Sequence, residues 1–220
     1  MTKPISRPRF NSACRDCPRL AGFLDAVREE HPAYHARPVP AFGPQRAKLL
    51  VVGLAPGMHG ANRTGRPFTG DHAGILLYGT LHKFGFASRP DSVDRVDGLK
   101  LLDCRITNAV KCLPPQNKPH PDELRRCNRF LAGEIAAARP LAILALGGLA
   151  HRAVLMALGL TQARWRFAHH AVHEFREAAP GIRLFDSYHC SRYNTQTKRL
   201  TASAFEAVIG DIAQFLRGLK

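Results

Sequence analysis

Four short apolar segments alternate with stretches of helical periodicity along this chain, and this alternation restricts the possible folds more than any other feature. The apolar segments are residues 48–54, 103–110, 141–146 and 182–188. The helical stretches are residues 73–84, 121–138, 148–158 and 201–219. Short, nearly continuous apolar segments are typical of parallel strands buried on both faces of a sheet. The sequence therefore predicts an α/β fold, a three-layer α/β/α sandwich with a central four-stranded, mainly parallel sheet.

The length and the apolar content indicate a single domain that covers residues 1–220. Hydrophobic residues make up 45% of the chain, which is enough to fill the core of such a domain. No apolar segment approaches the roughly 20 residues needed to span a bilayer, so we expect no membrane partner. The basic N-terminus is not followed by an apolar stretch, which argues against a signal peptide. We expect a cytoplasmic protein, and a monomer.

The charge balance points to a polyanionic partner. The chain has 32 Lys and Arg residues against 17 Asp and Glu residues, which gives a formal net charge of +15. A basic excess of this size on one domain is typical of proteins that bind nucleic acid. His169, His170 and His173 have a spacing seen in metal sites, but no carboxylate pattern accompanies them. We therefore expect these histidines to lie on a solvated loop or helix face.

Four cysteines form the pattern of a metal site. Cys14 and Cys17 make a C-x-x-C pair, and Cys112 and Cys127 lie downstream with 14 residues between them. Four thiolates hold a zinc ion or an iron–sulfur cluster, and the wide second spacing favours the cluster and leaves zinc as the alternative. We do not expect disulfides in a chain with this apolar content and no export signal. The centre would tie the N-terminal segment, residues 1–45, to the core.

Polar and aromatic residues follow three of the predicted strands, at the edge where parallel strands bring their carboxyl ends together. The loop after the first strand is dense in glycine and proline and carries Phe68 and Asp71. Asn108 stands near the end of the second strand, and His189 follows the fourth. An aromatic ring, an amide, a carboxylate and an imidazole at one place are the groups needed to hold and release a planar base.

These residues lie in motifs that resemble those of the uracil-DNA glycosylase superfamily, in particular its iron–sulfur-containing branch and the group called type 5. The resemblance extends from Cys14 to the last predicted helix. GLAPG alone is a weak signal, but the motifs in this order are specific. They are GLAPG at residues 53–57, NRTGRPFTGD at 62–71, ITNAVKC at 106–112, NKPHPDELRRC at 117–127 and HCSRYNTQTKRL at 189–200.

The resemblance implies which residues bind the base. Phe68 would stack on the flipped base above Gly53 of the first motif, and Asn108 would read the base edge because an amide offers a donor and an acceptor. His189 would hydrogen-bond a base carbonyl and stabilise the negative charge that develops as the base leaves. We therefore predict that His189 has both a binding and a catalytic role.

Asp71 is the candidate catalytic carboxylate. Leu54 and Ala55 are apolar at positions where other uracil glycosylases carry a carboxylate or an amide, and the resemblance to type 5 implies that the later Asp71 acts instead. The same residue directly precedes a predicted helix, so a helix-capping role is an open alternative. The two roles can coexist.

The resemblance also implies a surface that contacts DNA. Arg192 and Tyr193 would fill the gap left by the flipped base, with ordinary surface residues as the alternative. The family usually has proline where this chain has Cys190, which leaves open a looser loop, a reactive thiol or a neutral replacement. The candidate DNA-binding residues are Arg63, Ser191, Arg192, Tyr193, Lys198 and Arg199.

The expected function is a monofunctional DNA repair glycosylase that carries a 4Fe-4S cluster. It would flip a deaminated base out of DNA and hydrolyse the N-glycosidic bond. The resemblance implies that uracil is a substrate and that the range extends to deaminated purines such as hypoxanthine and xanthine. One alternative is a module of the same fold that binds damaged or single-stranded DNA without efficient catalysis. Another is an iron–sulfur redox or sensor protein, which would leave the base-pocket motifs unexplained.

Overall fold

The structure is a computed structural model that describes residues 10–175 and 179–219. Its centre is a sheet with the strand order β2-β1-β3-β5-β4. Neighbouring strands are parallel, except that β4 runs antiparallel to β5. The strands are β1 (Leu49–Gly53), β2 (Cys104–Asn108), β3 (Ala142–Leu146), β4 (Val172–Glu174) and β5 (Arg183–Ser187).

Helices cover both faces of the sheet. The described helices are α1 (Pro18–Glu30), α2 (Ala61–Thr64), α3 (His72–Lys83), α4 (Pro121–Ala138), α5 (Gly148–Ala157), α6 (Arg192–Gln196) and α7 (Ala202–Arg217). Alternate residues of the inner strand β1 point to opposite sides. Leu49 and Val51 pack into the core that α3 and α7 complete, whereas Leu50 and Val52 pack into the core formed with α4 and α5. The predicted three-layer architecture is confirmed.

The sheet has one strand more than the four predicted. β4 is only three residues long, and Val172 and Glu174 are exposed. A short outer strand of this kind has no continuous apolar segment, so the pattern that predicted the other strands does not appear in it. Helix α1 was also missed, although it buries Leu20, Leu24 and Val27.

Local sequence explains where the best-defined helix begins and ends. α4 starts with Pro121 at its first position, and a Glu123 carboxylate accepts a hydrogen bond from the backbone N–H of His120. It ends where Arg139 adopts a left-handed conformation immediately before Pro140. The prediction of a helix over residues 121–138 is confirmed at both ends.

The sheet brings four loops to one edge. Gly53 at the end of β1 lies opposite Asn108 at the end of β2, and Leu146 of β3 lies opposite Ser187 of β5. The segments after these strands therefore start side by side, as ligand-binding loops do in open α/β sheets. No helix in the described ranges is both long and apolar enough to cross a membrane.

Candidate active site

A cavity of about 490 Å³ lies at this edge of the sheet. The loop after β1, the ends of β2 and β3, the start of α5 and the segment after β5 all contribute to its walls. The predicted pocket residues Phe68, Asp71, Asn108 and His189 all line it. The structure thus brings together residues that are up to 121 positions apart in the sequence, from Phe68 to His189.

The cavity lining includes a buried hydrogen-bond acceptor that has no partner among the described residues. Asn108 is only 3% exposed, and its Oδ1 atom has no hydrogen-bond partner among the described residues. A Cβ atom on Gly53 would lie 2.5 Å from this oxygen and 2.6 Å from the Phe68 ring, so only glycine leaves room for both side chains. A buried unpaired carbonyl costs about 1–3 kcal/mol, which indicates that a ligand supplies the missing donor.

Phe68 and His189 form two walls of the same cavity. Their ring centroids are 5.7 Å apart with the planes tilted by 30°. Phe68 has a φ angle of +54°, which is unfavourable for a non-glycine residue, and the Tyr78 hydroxyl donates a 2.7 Å hydrogen bond to Pro67 O beside it. Burial lowers the pKa of His189, although the nearby Asp71 acts in the opposite direction. His189 is therefore a neutral imidazole near pH 7.

The two oxygens of Asp71 face different surroundings. Oδ1 accepts a 3.0 Å hydrogen bond from the backbone N–H of Gly74 and so caps helix α3. Oδ2 faces the glycine-rich loop after β1 and accepts no hydrogen bond from the described residues. Asp71 is thus a helix cap that also lines the cavity, and only one of its two oxygens takes part in the cap.

A buried ion pair holds the loop that carries Phe68 and Asp71. The guanidinium of Arg66 donates to both carboxylate oxygens of Asp97, to Ser92 Oγ at 2.7 Å and to Thr69 Oγ1 at 2.9 Å. Burial alone would raise the pKa of Asp97, but hydrogen bonds from Arg66 and from backbone amides hold it well below the usual range. Asp97 and Ser92, in the polar segment of residues 89–98, therefore fix the loop that carries Phe68 and Asp71.

Comparison with known proteins identifies the family. The sequence profile described as "Uracil DNA glycosylase superfamily" matches residues 40–213. The chain belongs to this superfamily. A type-5 uracil-DNA glycosylase of Thermus thermophilus is 45% identical over 215 residues, which cover 94% of this chain and 95% of that protein. A type-5 uracil-DNA glycosylase of Pyrobaculum aerophilum is 44% identical over 200 residues, covering 89% and 86%. A type-4 uracil-DNA glycosylase of the same organism is 30% identical over 157 residues, covering 71% and 72%.

The predicted DNA-binding residues of this superfamily member lie around the cavity mouth and beyond it. Ser191 and Arg192 line the rim, and Ser191 caps α6 by accepting from Asn194 N. Tyr193 is 70% exposed, as a side chain that enters DNA must be. Arg199 lies over the Tyr188 ring at 4.4 Å. Arg63 and Lys198 are exposed, and their contacts with DNA stay predictions.

Cys190 replaces the usual proline without exposing a thiol. Its side chain is fully buried in the core beneath α3 and α7, and burial raises its pKa far above the usual range. The side-chain amide of Asn194 donates a 2.8 Å hydrogen bond to the carbonyl of His189. The buried thiol is not reactive as a nucleophile, because it is not accessible as a thiolate. The bond from Asn194 fixes the loop that the proline would otherwise restrain.

Cys14, Cys17, Cys112 and Cys127 line one small cavity. The prediction that a metal centre at these cysteines ties residues 1–45 to the core stays a prediction. They are free thiols, and Cys127 Sγ accepts a 3.3 Å hydrogen bond from Lys111 N. Burial, followed by the other cysteines, raises the pKa of Cys112 to about 12. Four sulfurs around one cavity are the donor set that either an iron–sulfur cluster or a zinc ion takes.

Asn117 is a cavity residue that the sequence reading did not single out. It lines the cavity with a φ angle of +58°, directly after Gln116 with +55°. The sequence feature that could have indicated Asn117 is its place between prolines in the stretch PPQNKP. Asparagine tolerates the left-handed conformation that a turn at this place requires. Two consecutive strained residues at a cavity are typical of a functional loop.

The expectation that His169, His170 and His173 lie on a solvated loop or helix face is wrong for His173. That side chain is mostly buried, and its Nε2 lies 2.9 Å from the buried Asp186. His169 lies in a turn, is half-buried and stacks on Tyr188 with ring centroids 5.0 Å apart. His170 is exposed and pairs with Asp211. The short strand β4, absent from the prediction, is what carries His173 onto the sheet.

Proposed function

We propose that the protein is a monofunctional DNA glycosylase that removes uracil from DNA by hydrolysis. One observation carries the proposal. Asn108 Oδ1 has no hydrogen-bond partner among the described residues, and Asn108 lines a cavity together with Phe68, Asp71 and His189. The names of the type-5 relatives support the same activity.

Asn108 would select uracil over cytosine by hydrogen bonding. Its Oδ1 would accept from N3–H of uracil, and its Nδ2 would donate to O4. Cytosine has no proton on N3 and carries an amino group at C4, so it would place donor against donor and acceptor against acceptor. Phe68 would stack on the face of the base, which selects for planarity rather than identity.

His189 and Asp71 would divide the chemistry between the base and the sugar. As the C1′–N1 bond breaks, its electron pair goes to the base, and the neutral imidazole of His189 donates a hydrogen bond to the developing oxyanion at O2. Asp71 Oδ2 would orient a water that adds to C1′ and would accept its proton, which then passes to the departing base. None of the described residues that line the cavity is a lysine, so no Schiff base forms and the DNA strand stays intact.

The apolar wall of the cavity favours a wide substrate range. Leu54 and Ala55 offer no polar group to the base, and a volume of about 490 Å³ exceeds what a pyrimidine needs. We therefore include the deaminated purines hypoxanthine and xanthine among the proposed substrates. Both present a carbonyl beside a ring N–H, the pair that Asn108 would read in uracil.

A 4Fe-4S cluster on Cys14, Cys17, Cys112 and Cys127 completes the proposal. The proposal is supported by the meeting of the four cysteines at one small cavity and by the wide sequence spacing of Cys112 and Cys127. When bound, the cluster supplies a structural cross-link. Cys112 follows Asn108 by four residues and precedes Asn117 by five, so the cross-link would fix the segment that presents both amides.

The basic surface would bind the DNA backbone. Arg63, Arg192, Lys198 and Arg199 are exposed, and a net charge of +15 favours association with a polyanion. Tyr193 would enter the duplex where the base leaves. We further propose that the protein acts as a monomer in the cytoplasm, where cysteine thiolates stay reduced.

A substrate panel tests the proposal. The purified protein is incubated with single- and double-stranded oligonucleotides that contain uracil, hypoxanthine or xanthine, and abasic product is revealed by alkaline cleavage on a gel. We expect product from uracil, and its loss in His189→Ala and Asp71→Asn with DNA binding retained. Surface variant Ser203→Ala serves as the control. Tight binding without abasic product would instead establish the alternative, a damaged-DNA binding module.

A further inference from the structure

A second cluster of metal-binding side chains lies behind the cavity wall. It joins His151 of α5, His173 of β4 and Asp186 of β5. Nδ1 of His151 lies 2.9 Å from Oδ1 of Asp186, and Nε2 of His173 lies 2.9 Å from Oδ2 of the same carboxylate. The three ligand atoms are all within 4.8 Å of one another. The site is separate from the four cysteines and from the base pocket, whose linings do not include these residues.

Burial of these three side chains is energetically unfavourable unless a positive charge accompanies the carboxylate of Asp186. Asp186 is completely buried, and the side chains of His151 and His173 are only 2% and 11% exposed. A buried carboxylate requires a compensating positive charge. Both imidazoles lie 2.9 Å from the carboxylate of Asp186, so either a protonated imidazole or a metal ion can supply this charge.

The second ring nitrogen of His151 makes a hydrogen bond of the kind that metal-binding histidines make. Its Nε2 lies 3.0 Å from the backbone carbonyl of Trp165 and must donate a proton to it. That bond fixes the tautomer and leaves Nδ1 as the atom that faces Asp186. Histidines that bind metals usually make such a bond from the second ring nitrogen to a carbonyl or a carboxylate.

We propose that His151 Nδ1, His173 Nε2 and the carboxylate of Asp186 bind a divalent transition-metal ion such as zinc. Two imidazoles and one carboxylate suit zinc and its neighbours in the periodic table, whereas magnesium and calcium prefer oxygen ligands. Ligand atoms about 2.0–2.1 Å from zinc are spaced about 3.4 Å apart in a tetrahedron, so the 2.9 Å contacts need to open by about half an ångström. A carboxylate that binds through both oxygens needs a smaller change.

The surroundings fit a structural ion. The rings of Phe167 and Trp165 contact His151 and His173, with centroids 5.8 Å and 5.9 Å apart, and shield the cluster from water. Access remains from the edge strand, where Val172 beside His173 is exposed. The ion would join α5, whose start lines the base cavity, to β5, which leads to His189 three residues after Asp186. It would thereby fix two walls of the cavity relative to each other.

Metal analysis on the full-length protein with its cysteine-bound centre intact tests this site. The protein is treated with a mild chelator, equilibrated with Zn²⁺ by dialysis at pH 7.5, and analysed for iron and zinc together. Counting both metals separates zinc in this site from zinc at the cysteines. We expect one zinc per chain in addition to the cysteine-bound metal, and visible ligand-field bands when Co²⁺ replaces zinc. Because zinc must displace the proton from His151, retention should fall at acidic pH.

Two variants and a matched control decide the assignment. His173→Ala removes one ligand at the accessible side and should lower zinc affinity by at least about 100-fold, and Asp186→Asn should do the same. His170→Ala changes a neighbouring surface histidine that pairs with Asp211, and should leave zinc binding unchanged. Zinc should raise the melting temperature of the wild type but not of His173→Ala. Absence of zinc from the wild type, or equal zinc in the wild type and His173→Ala, would show that the cluster holds only a proton.

Discussion

Replacing Asn108 by leucine should abolish activity while making the protein more stable. In the free protein Asn108 Oδ1 is buried and has no hydrogen-bond partner within residues 10–175 and 179–219, which costs about 1–3 kcal/mol. Leucine has a similar volume and no polar atom, so Asn108→Leu removes this cost. For a chain of this length, a gain of about 1 kcal/mol raises the melting temperature by roughly 2–4 °C.

The same change removes the groups that would read the base. Uracil bound against leucine would leave its N3–H and O4 buried without partners, at about 1–3 kcal/mol each. A combined loss of about 3 kcal/mol in the transition state lowers kcat/KM by about 100-fold or more. The assay pairs single-turnover excision of uracil with thermal melting of the free protein.

Asn128 provides the matched control, because it is a buried asparagine whose amide is satisfied. Its Nδ2 donates a 2.8 Å hydrogen bond to Ala153 O. Asn128→Leu removes this hydrogen bond and should lower stability by about 0.5–1.5 kcal/mol, with excision unchanged at temperatures where the variant is folded. If Asn108→Leu melts below the wild type and still excises uracil at the normal rate, the amide is structural and the base-reading argument is wrong.

Three further changes test other parts of the site. Gly53→Ala places a Cβ against Asn108 and Phe68, so the ring and the amide must move apart. The variant should excise uracil at least about tenfold more slowly, with a smaller effect on the melting temperature. Equal excision by the variant and the wild type would contradict this role of Gly53. Asp97→Asn should destabilise the protein by about 3–5 kcal/mol at neutral pH. The pKa of Asp97 is lower in the folded protein than in the unfolded chain, where it is about 3.9. The ionised Asp97 therefore stabilises the fold above the unfolded-state pKa, and this stabilisation is lost as the pH falls through the folded-state pKa. The urea midpoints of the variant and the wild type should accordingly converge in acid. Cys112→Ser should release bound iron and lower the melting temperature before it affects base selectivity, which iron analysis and melting curves check; unchanged iron would exclude Cys112 as a ligand.

The strands and the main pocket residues were predictable because they depend on local sequence. Continuous apolar segments identified β1, β2, β3 and β5, and parallel pairing then placed Asn108 and His189 at one edge. These inferences need only the period of the apolar pattern and the rule that parallel strands end together.

The supporting contacts were not predictable, because each joins residues that are far apart in the sequence. Arg66 and Asp97 are separated by 31 positions, and His151 and Asp186 by 35. Nothing in the neighbouring residues indicates which arginine will meet which carboxylate inside the protein. β4 was missed for the same reason, since pairing with β5 rather than its own pattern makes it a strand.

The different surroundings of the two oxygens of Asp71 have an evolutionary consequence. Asparagine is as good a helix cap as aspartate, so a single Asp71→Asn change keeps the Gly74 contact and removes the negative charge of the carboxylate. If Asp71 acts as proposed, one nucleotide change converts the glycosylase into a stable protein that binds damaged bases without removing them. Activity could then be lost and regained among sequences that all fold.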